Sequence, residues 1–201
     1  MKAVAAIFTG HDNDCYMVAS CEKRLYDVPD GVFCPQCGWK KDWTYTRPDF
    51  ALRKRKMDVS STYDGATIVS ERVRNVFMSE GVEDSVLVPL LCEPGFYHLV
   101  PACCVEFDVN RRGTRFGTLC PTCGLHDTVA GATPAFLKRI PVGGHIFRTD
   151  ILFGSYNEHS PMIIVSASLL NALHRESFTG LELESIDAEH VAPGDASQPR
   201  A

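Results

Sequence analysis

The sequence predicts an α+β fold in which two strand–helix–strand halves are joined by a four-cysteine site resembling a zinc ribbon. The length of 201 residues, with 45% hydrophobic and 22% charged residues, is typical of one globular domain or two small ones. Two segments repeat the order strand, helix, glycine and strand. Each follows a Cys-Pro-x-Cys-Gly element, and these elements lie 83 positions apart, from Cys37 to Cys120. We predict a single domain over 1–190, with possible halves 1–93 and 94–190.

The repeated segments are 68–90 and 164–186, and both open on the tripeptide Ile-Val-Ser. The serines, Ser70 and Ser166, are suited to cap the helix that follows. Both predicted helices place apolar residues at i, i+3 and i+4 and are followed by a glycine and an extended segment: Val73, Val76, Phe77 and Gly81 in the first, and Leu169, Ala172, Leu173 and Gly180 in the second. The alternative is that this common order of elements recurs by chance.

Further strands are predicted where apolar residues run together or alternate with polar ones. The candidates are residues 1–8, 16–21 and 96–100, and the alternating Val105, Phe107 and Val109. The last residues, 191–201, contain two prolines among polar neighbours and are predicted to form a flexible tail.

The net charge and the length of the apolar runs limit the partners and the cellular compartment that we expect. The formal charge of −5 argues mildly against a dedicated nucleic-acid binder. The apolar runs 3–8 and 86–92 are too short for an export signal or a membrane span. A cytoplasmic protein without a membrane partner is therefore expected, with reduced thiols. The nine cysteines are an odd number, so they cannot all pair within one chain.

Four of the cysteines have the spacing of metal ligands: Cys34, Cys37, Cys120 and Cys123. In each pair, proline after the first cysteine suits a tight turn, and glycine after the second permits a left-handed backbone. Two such knuckles supply four thiolates, which predicts one closed, structural Zn²⁺ site with no position left for substrate water. The alternatives are a thioredoxin-like redox pair, which needs one motif only, and cysteines that bind no metal.

The remaining cysteines are expected to be structural. Cys15, Cys21 and Cys92 lie in or near apolar stretches and are predicted to be small core residues. The neighbours Cys103 and Cys104 are predicted to divide, one buried and one facing outward. His126 follows the second knuckle and could replace a thiolate, but the expectation is a histidine at the surface or next to the ligands.

An enzyme is not expected, because the sequence lacks a nucleophile elbow, a phosphate-binding loop, a dinucleotide fingerprint and a His-Glu-x-x-His helix. The basic clusters 53–56, 111–115 and 138–139 could contact phosphate or could be solvated loops. Aromatic residues that could anchor a partner or lie in the core are Trp39, Trp43, Tyr45 and Tyr156.

The paired Cys-Pro-x-Cys-Gly motifs resemble the bacterial double-CXXCG motif family, known largely from myxobacterial paralogues. The aromatic and Pro-Asp segment after the first motif and the Arg-Phe-Gly before the second are also similar, as are residues 147–151 and 163–166. The resemblance extends over about residues 20–187. It implies an immunity protein, since that family includes immunity proteins for polymorphic contact-dependent toxins.

Two functions are consistent with these patterns. The first is an immunity protein that binds a cognate toxin and blocks it by occlusion, with the metal holding the binding surface. The acidic balance would suit a basic toxin. The second is a zinc-ribbon nucleic-acid-binding or regulatory module that uses the basic clusters.

Overall fold

A computed structural model describes residues 3–192 of the chain. All but the first two residues of the predicted tail, 191–201, lie outside the described part, as do the first two residues of the predicted strand 1–8. Within residues 3–192, no helix has the length and apolar character needed to cross a membrane.

The described part of the chain contains eleven strands and three α-helices, joined by loops and three short 3-10 turns. The strands are β1 Ala3–Asp12, β2 Val59–Ser61, β3 Thr67–Ser70, β4 Leu87–Pro89, β5 Phe96–Leu99, β6 Cys104–Val105, β7 Arg115–Phe116, β8 Thr128–Ala130, β9 Ile146–Ser155, β10 Ser160–Ser166 and β11 Leu181–Asp187. The helices are α1 Glu71–Ser79, α2 Val109–Arg112 and α3 Ala167–His174.

All eleven strands belong to one mixed sheet, so the prediction of an α+β fold is confirmed at this level. The main path of the sheet runs β4-β5-β3-β2-β1-β10-β9-β8-β7, while β11 pairs with β1 and β6 pairs with β9. The long strand β1 holds the sheet together. Its first residues pair with β10 and β11, and its last two, His11 and Asp12, pair in parallel with β2.

Each repeated segment lies in a group of four antiparallel strands with the same spatial order. The order is β4-β5-β3-β2 around the first segment and β11-β1-β10-β9 around the second. In both groups the helix connects two strands that are separated by one other strand. That intervening strand differs in origin, because β5 follows the first segment whereas β1 comes from the beginning of the chain. The boundary between 1–93 and 94–190 stays a prediction.

The two long helices pack against one core cluster. Val73 and Phe77 of α1 meet Leu169 and Leu173 of α3 there, with β1, β3 and β10 beneath. This arrangement follows from the i, i+3, i+4 spacing of apolar residues that the sequence displays. A second cluster covers the opposite face of the sheet, and a third lies around residues 15–19 and 32–33.

The two helix starts are built differently. The Ser166 hydroxyl accepts a hydrogen bond from Leu169 N–H, which is the predicted cap. The Ser70 hydroxyl instead donates to the buried Asp58 carboxylate, 2.9 Å away. Asp58 also accepts hydrogen bonds from the backbone and hydroxyl of Thr179 and so joins the start of α1 to the segment before β11.

Two strand predictions are wrong. Residues 16–21 form a loop, because the N–H groups of Met17, Val18 and Ala19 converge on the carboxylate of Asp64 instead of entering a ladder. The alternating residues from Val105 onward leave the strand after Val105. Asp108 then caps the short helix α2 by accepting a hydrogen bond from Arg111 N–H.

We expect the buried His98 on β5 to make the stability of the fold sensitive to acid. Burial, followed by the nearby positive charge of Lys40, lowers the pKa of His98 to about 4. The unfolded chain binds the proton near pH 6.5 and the folded chain does not, so stability is complete above that pH and falls as the pH drops towards 4. We expect a loss of about 3 kcal/mol across this window.

Urea unfolding at pH 7.5 and pH 4.5 measures this loss. His98→Gln removes the titration, so the variant should lose about 2 kcal/mol less than the parent protein between the two pH values. Acid effects on the thiolates are common to both proteins and cancel in the comparison. Equal losses would contradict the prediction.

Candidate metal centre

The structure brings the four predicted ligands together. The sulfur atoms of Cys34, Cys37, Cys120 and Cys123 all lie within 4.8 Å of one another. Two of the separations are 3.9 Å, from Cys34 to Cys120, and 3.7 Å, from Cys37 to Cys123. Four sulfurs around a tetrahedral ion with bonds of about 2.3 Å would be about 3.8 Å apart, so the cluster has the dimensions of a Cys₄ metal site.

The first knuckle is a tight turn closed by backbone hydrogen bonds. Gly38 N–H donates to Cys34 O at 2.9 Å, and Cys34 N–H donates to Trp39 O at 2.8 Å. Gly38 has φ +75°, a left-handed conformation that glycine adopts without a steric penalty. The turn therefore holds both sulfurs of the motif on the same side.

The second knuckle repeats this geometry. Gly124 N–H donates to Cys120 O at 2.9 Å, Cys120 N–H donates to Leu125 O at 2.8 Å, and Gly124 has φ +74°. A hydrogen bond from the Thr122 hydroxyl to Gln36 connects the two turns. The agreement follows from the shared motif, in which proline and glycine occupy equivalent positions.

The backbone of each turn favours the thiolate form of its first cysteine. The Cys37 N–H lowers the pKa of the Cys34 thiol to about 6, and the Cys123 N–H lowers the pKa of Cys120. Burial raises the pKa of Cys37 to about 12 and also raises the pKa of Cys123. All four sulfurs would be thiolates only with a cation to balance their charge, and a thiophilic divalent ion would supply it.

A turn between β9 and β10 holds both knuckles in place. The side chain of the buried Asn157 accepts a hydrogen bond from Lys40 N–H, just after the first knuckle, and donates to Ser20 O. The adjacent Tyr156 N–H donates to Asp127 O, just after the second knuckle. Sequence reasoning missed Asn157, and no local pattern marks it, because its partners lie more than 110 positions away.

Behind the first knuckle lies a buried ion pair. The Lys40 side chain is 4% exposed and its Nζ lies 3.9 Å from Oδ2 of Asp64, which is fully buried. The Lys40 amine also donates to Asp64 O. Burial lowers the pKa of Lys40, opposed by the charge of Asp64. Together with the N–H groups of residues 17–19, this pair fixes the loop beneath the first knuckle.

The other five cysteines and His126 are not part of the four-cysteine cluster. Cys15 is buried, as predicted for a core residue. Cys21 is only half-buried and Cys92 is exposed, which corrects the prediction of Cys92 as a core residue. Cys103 and Cys104 are both exposed, so the prediction that one of them would be buried is wrong. In the strand β6 it is Val105 that faces the core, and Cys104 therefore faces outward. His126 is half-buried and lies outside the cluster, with its Nδ1 2.8 Å from Gly117 O.

Two of the predicted anchor aromatics meet beside the cysteine cluster. The Trp39 and Tyr156 rings lie edge to face with centroids 6.0 Å apart, and both line an open cavity of about 590 Å³ that also contacts Cys37. Trp43 lies under the Arg148 guanidinium, and Tyr45 packs on the core around residues 15–19.

Basic residues of all three clusters form hydrogen bonds or ion pairs within the chain. Arg111 and Arg112 donate to the carbonyl groups of Glu189 and Thr133. In the other clusters, ion pairs join Lys138 to Glu106, Lys54 to Asp14 and Arg55 to Glu93.

No protein-family model matches the chain, and no curated protein matches it.

Proposed function

We propose that the four-cysteine cluster binds one Zn²⁺ ion with a purely structural role. The donor set supports this, since four thiolates with tetrahedral spacing are the usual ligands of structural zinc. Cys34, Cys37, Cys120 and Cys123 would complete the coordination shell, so the ion would supply rigidity to the surrounding loops. The two knuckles come from distant parts of the chain, and one ion would fasten them together.

We propose further that the protein is an immunity protein that binds a cognate bacterial toxin and neutralises it by occlusion. The observation that carries this proposal is the pair of Cys-Pro-x-Cys-Gly knuckles closing on a single cluster, the feature in which the chain resembles the double-CXXCG motif family. A closed metal site supports a role in architecture, so the function would reside in a surface and not in catalysis.

The two strand–helix–strand segments would be related halves of this architecture. Their support is the common strand order of the two four-stranded groups and the packing of both helices on one core cluster. A duplication in which one strand was supplied from the other end of the chain would account for the different origins of β5 and β1.

Co-expression with the product of a neighbouring toxin gene tests the proposed function. We expect this protein to restore growth of cells that express the toxin and to co-purify with it in a one-to-one complex. An unrelated structural-zinc protein at the same expression level is the control. A protein that neither rescues growth nor co-purifies, but binds DNA with a steep dependence on salt, would favour the nucleic-acid-binding alternative.

A further inference from the structure

Strand β11 presents an unpaired edge. Within residues 3–192 it pairs only with β1, through an antiparallel register from Ala3 and Asp187 to Gly10 and Leu181. The next residue pair continues this register, since His11 N–H donates to Gly180 O at 2.8 Å. Hydrogen bonding alternates along an antiparallel pair, so the N–H and C=O groups of Leu181, Leu183 and Ser185 point away from β1.

The net negative charge of the chain is concentrated along this edge. The sequence has 25 Asp and Glu residues against 20 Lys and Arg, and the segment 176–190 holds five of the former and none of the latter. The rest of the chain therefore carries 20 residues of each sign. We call residues 176–190 the acidic edge; its carboxylates belong to Glu176, Glu182, Glu184, Asp187 and Glu189.

Few positively charged groups of the chain neutralise these carboxylates. Glu182 and Glu184 are exposed and lie two positions apart on one face of β11. The only ion pair of the acidic edge within the described residues joins Glu182 to the His11 ring, at 2.8 Å. On the opposite face, Leu181 and Leu183 are half-buried against the core cluster that contains α1 and α3.

These features define the chemistry of a strand that could pair with β11. Side chains of an added strand would alternate between the two faces of the sheet. Basic residues at every second position would face Glu182 and Glu184, and apolar residues between them would cover Leu181 and Leu183. Main-chain hydrogen bonds to the outward N–H and C=O groups would supply affinity, as in recognition by strand addition.

We propose that β11 is the docking edge for an extended segment of the partner that alternates basic and apolar residues. This inference rests on the proposed function, because the segment would belong to the neutralised toxin. The observation that carries this inference is that the acidic edge, which includes the unpaired strand β11, holds the chain's entire excess of acidic over basic residues. Negative charge on an edge strand also opposes self-association, so the same carboxylates select against a second copy of this chain.

The test uses the complete protein and a fluorescein-labelled heptapeptide, Lys-Val-Lys-Val-Lys-Val-Lys, followed by fluorescence anisotropy. We expect saturable binding that weakens at least tenfold in Glu184→Lys. The matched control Glu22→Lys makes the same charge change at an exposed site outside the edge and should change affinity less than twofold. Equal weakening by both variants, or no binding to the parent protein, would overturn the proposal.

A backbone readout separates strand addition from simple charge attraction. Amide hydrogen exchange at Leu181, Leu183 and Ser185 should slow when the peptide is bound, because their outward N–H groups gain partners. Ser185→Pro removes one outward N–H without removing a bond to β1, and it should weaken peptide binding. Binding that leaves exchange at all three amides unchanged would overturn strand addition.

The outcomes also separate this inference from the proposed function. A toxin that co-purifies equally with the parent protein, Glu184→Lys and Ser185→Pro would leave the immunity role standing and exclude β11 as its docking edge. Peptide binding with amide protection, but no rescue by any neighbouring toxin gene, would retain the edge as a binding site and remove the immunity role.

Discussion

Replacing Cys120 by serine should destabilise the entire domain. The substitution removes one of four thiolates, and the three that remain would hold the ion weakly, so the free energy that metal binding adds to folding would be lost. We expect the free energy of unfolding to fall by at least about 4 kcal/mol and the melting temperature by about 10 °C. Thermal and urea unfolding measure the change, and removal of the metal by a chelator should reproduce it in the parent protein.

Cys104→Ser is the matched control, because this exposed cysteine lies outside the cluster. It should melt within about 1 °C of the parent protein. Elemental analysis of protein purified without chelator should give about one zinc per chain, falling sharply in Cys120→Ser. Hydrogen exchange should speed up in both β5 and β10, which lie in different four-stranded groups. A loss of protection confined to residues 115–130 would contradict a role of the cluster in stabilising both four-stranded groups.

The four-cysteine cluster could be predicted from the sequence because its determinants are local. Each knuckle needs only two cysteines, a proline and a glycine within five positions, and these residues fix a turn with both sulfurs on one side. The repetition of the motif then points to a shared ion. The helices α1 and α3 were predictable for a similar reason, since their apolar spacing and the following glycines are visible in short windows.

The surroundings of the centre could not be predicted, because their determinants are distant in sequence. Asn157 supports the first knuckle from a turn 117 positions beyond Lys40. The ten-residue strand β9 was not predicted, because polar residues such as Arg148 and Asp150 interrupt its apolar pattern. Residues 16–21 have the composition of a strand, but the N–H groups of residues 17–19 donate to the Asp64 carboxylate. No sequence pattern near those residues indicates this contact.

Asp64→Asn should strongly destabilise the domain, although Asp64 lies outside the cysteine cluster. The Asp64 carboxylate accepts hydrogen bonds from Met17, Val18 and Ala19, and its charge compensates the buried Lys40. An asparagine amide would direct donors at backbone N–H groups and leave the amine of Lys40 buried without a counter-charge. We expect a loss of about 3 to 5 kcal/mol in urea unfolding, whereas Glu106→Gln, at an exposed ion pair with Lys138, should cost less than about 1 kcal/mol.

A double-mutant cycle shows whether the Asp64 loss comes from the unpaired charge or from the loop. Lys40→Met in the Asp64→Asn background removes the buried amine and should recover part of the stability, giving an interaction energy of about 1 to 3 kcal/mol. The part that is not recovered measures the hydrogen bonds to residues 17–19. Because this loop lies beneath the first knuckle, Asp64→Asn should also weaken zinc retention against a chelator, although Asp64 is not a ligand. Additive effects of the two substitutions would contradict the pairing of Lys40 with Asp64 and would place the whole role of this carboxylate in the loop that carries the knuckle.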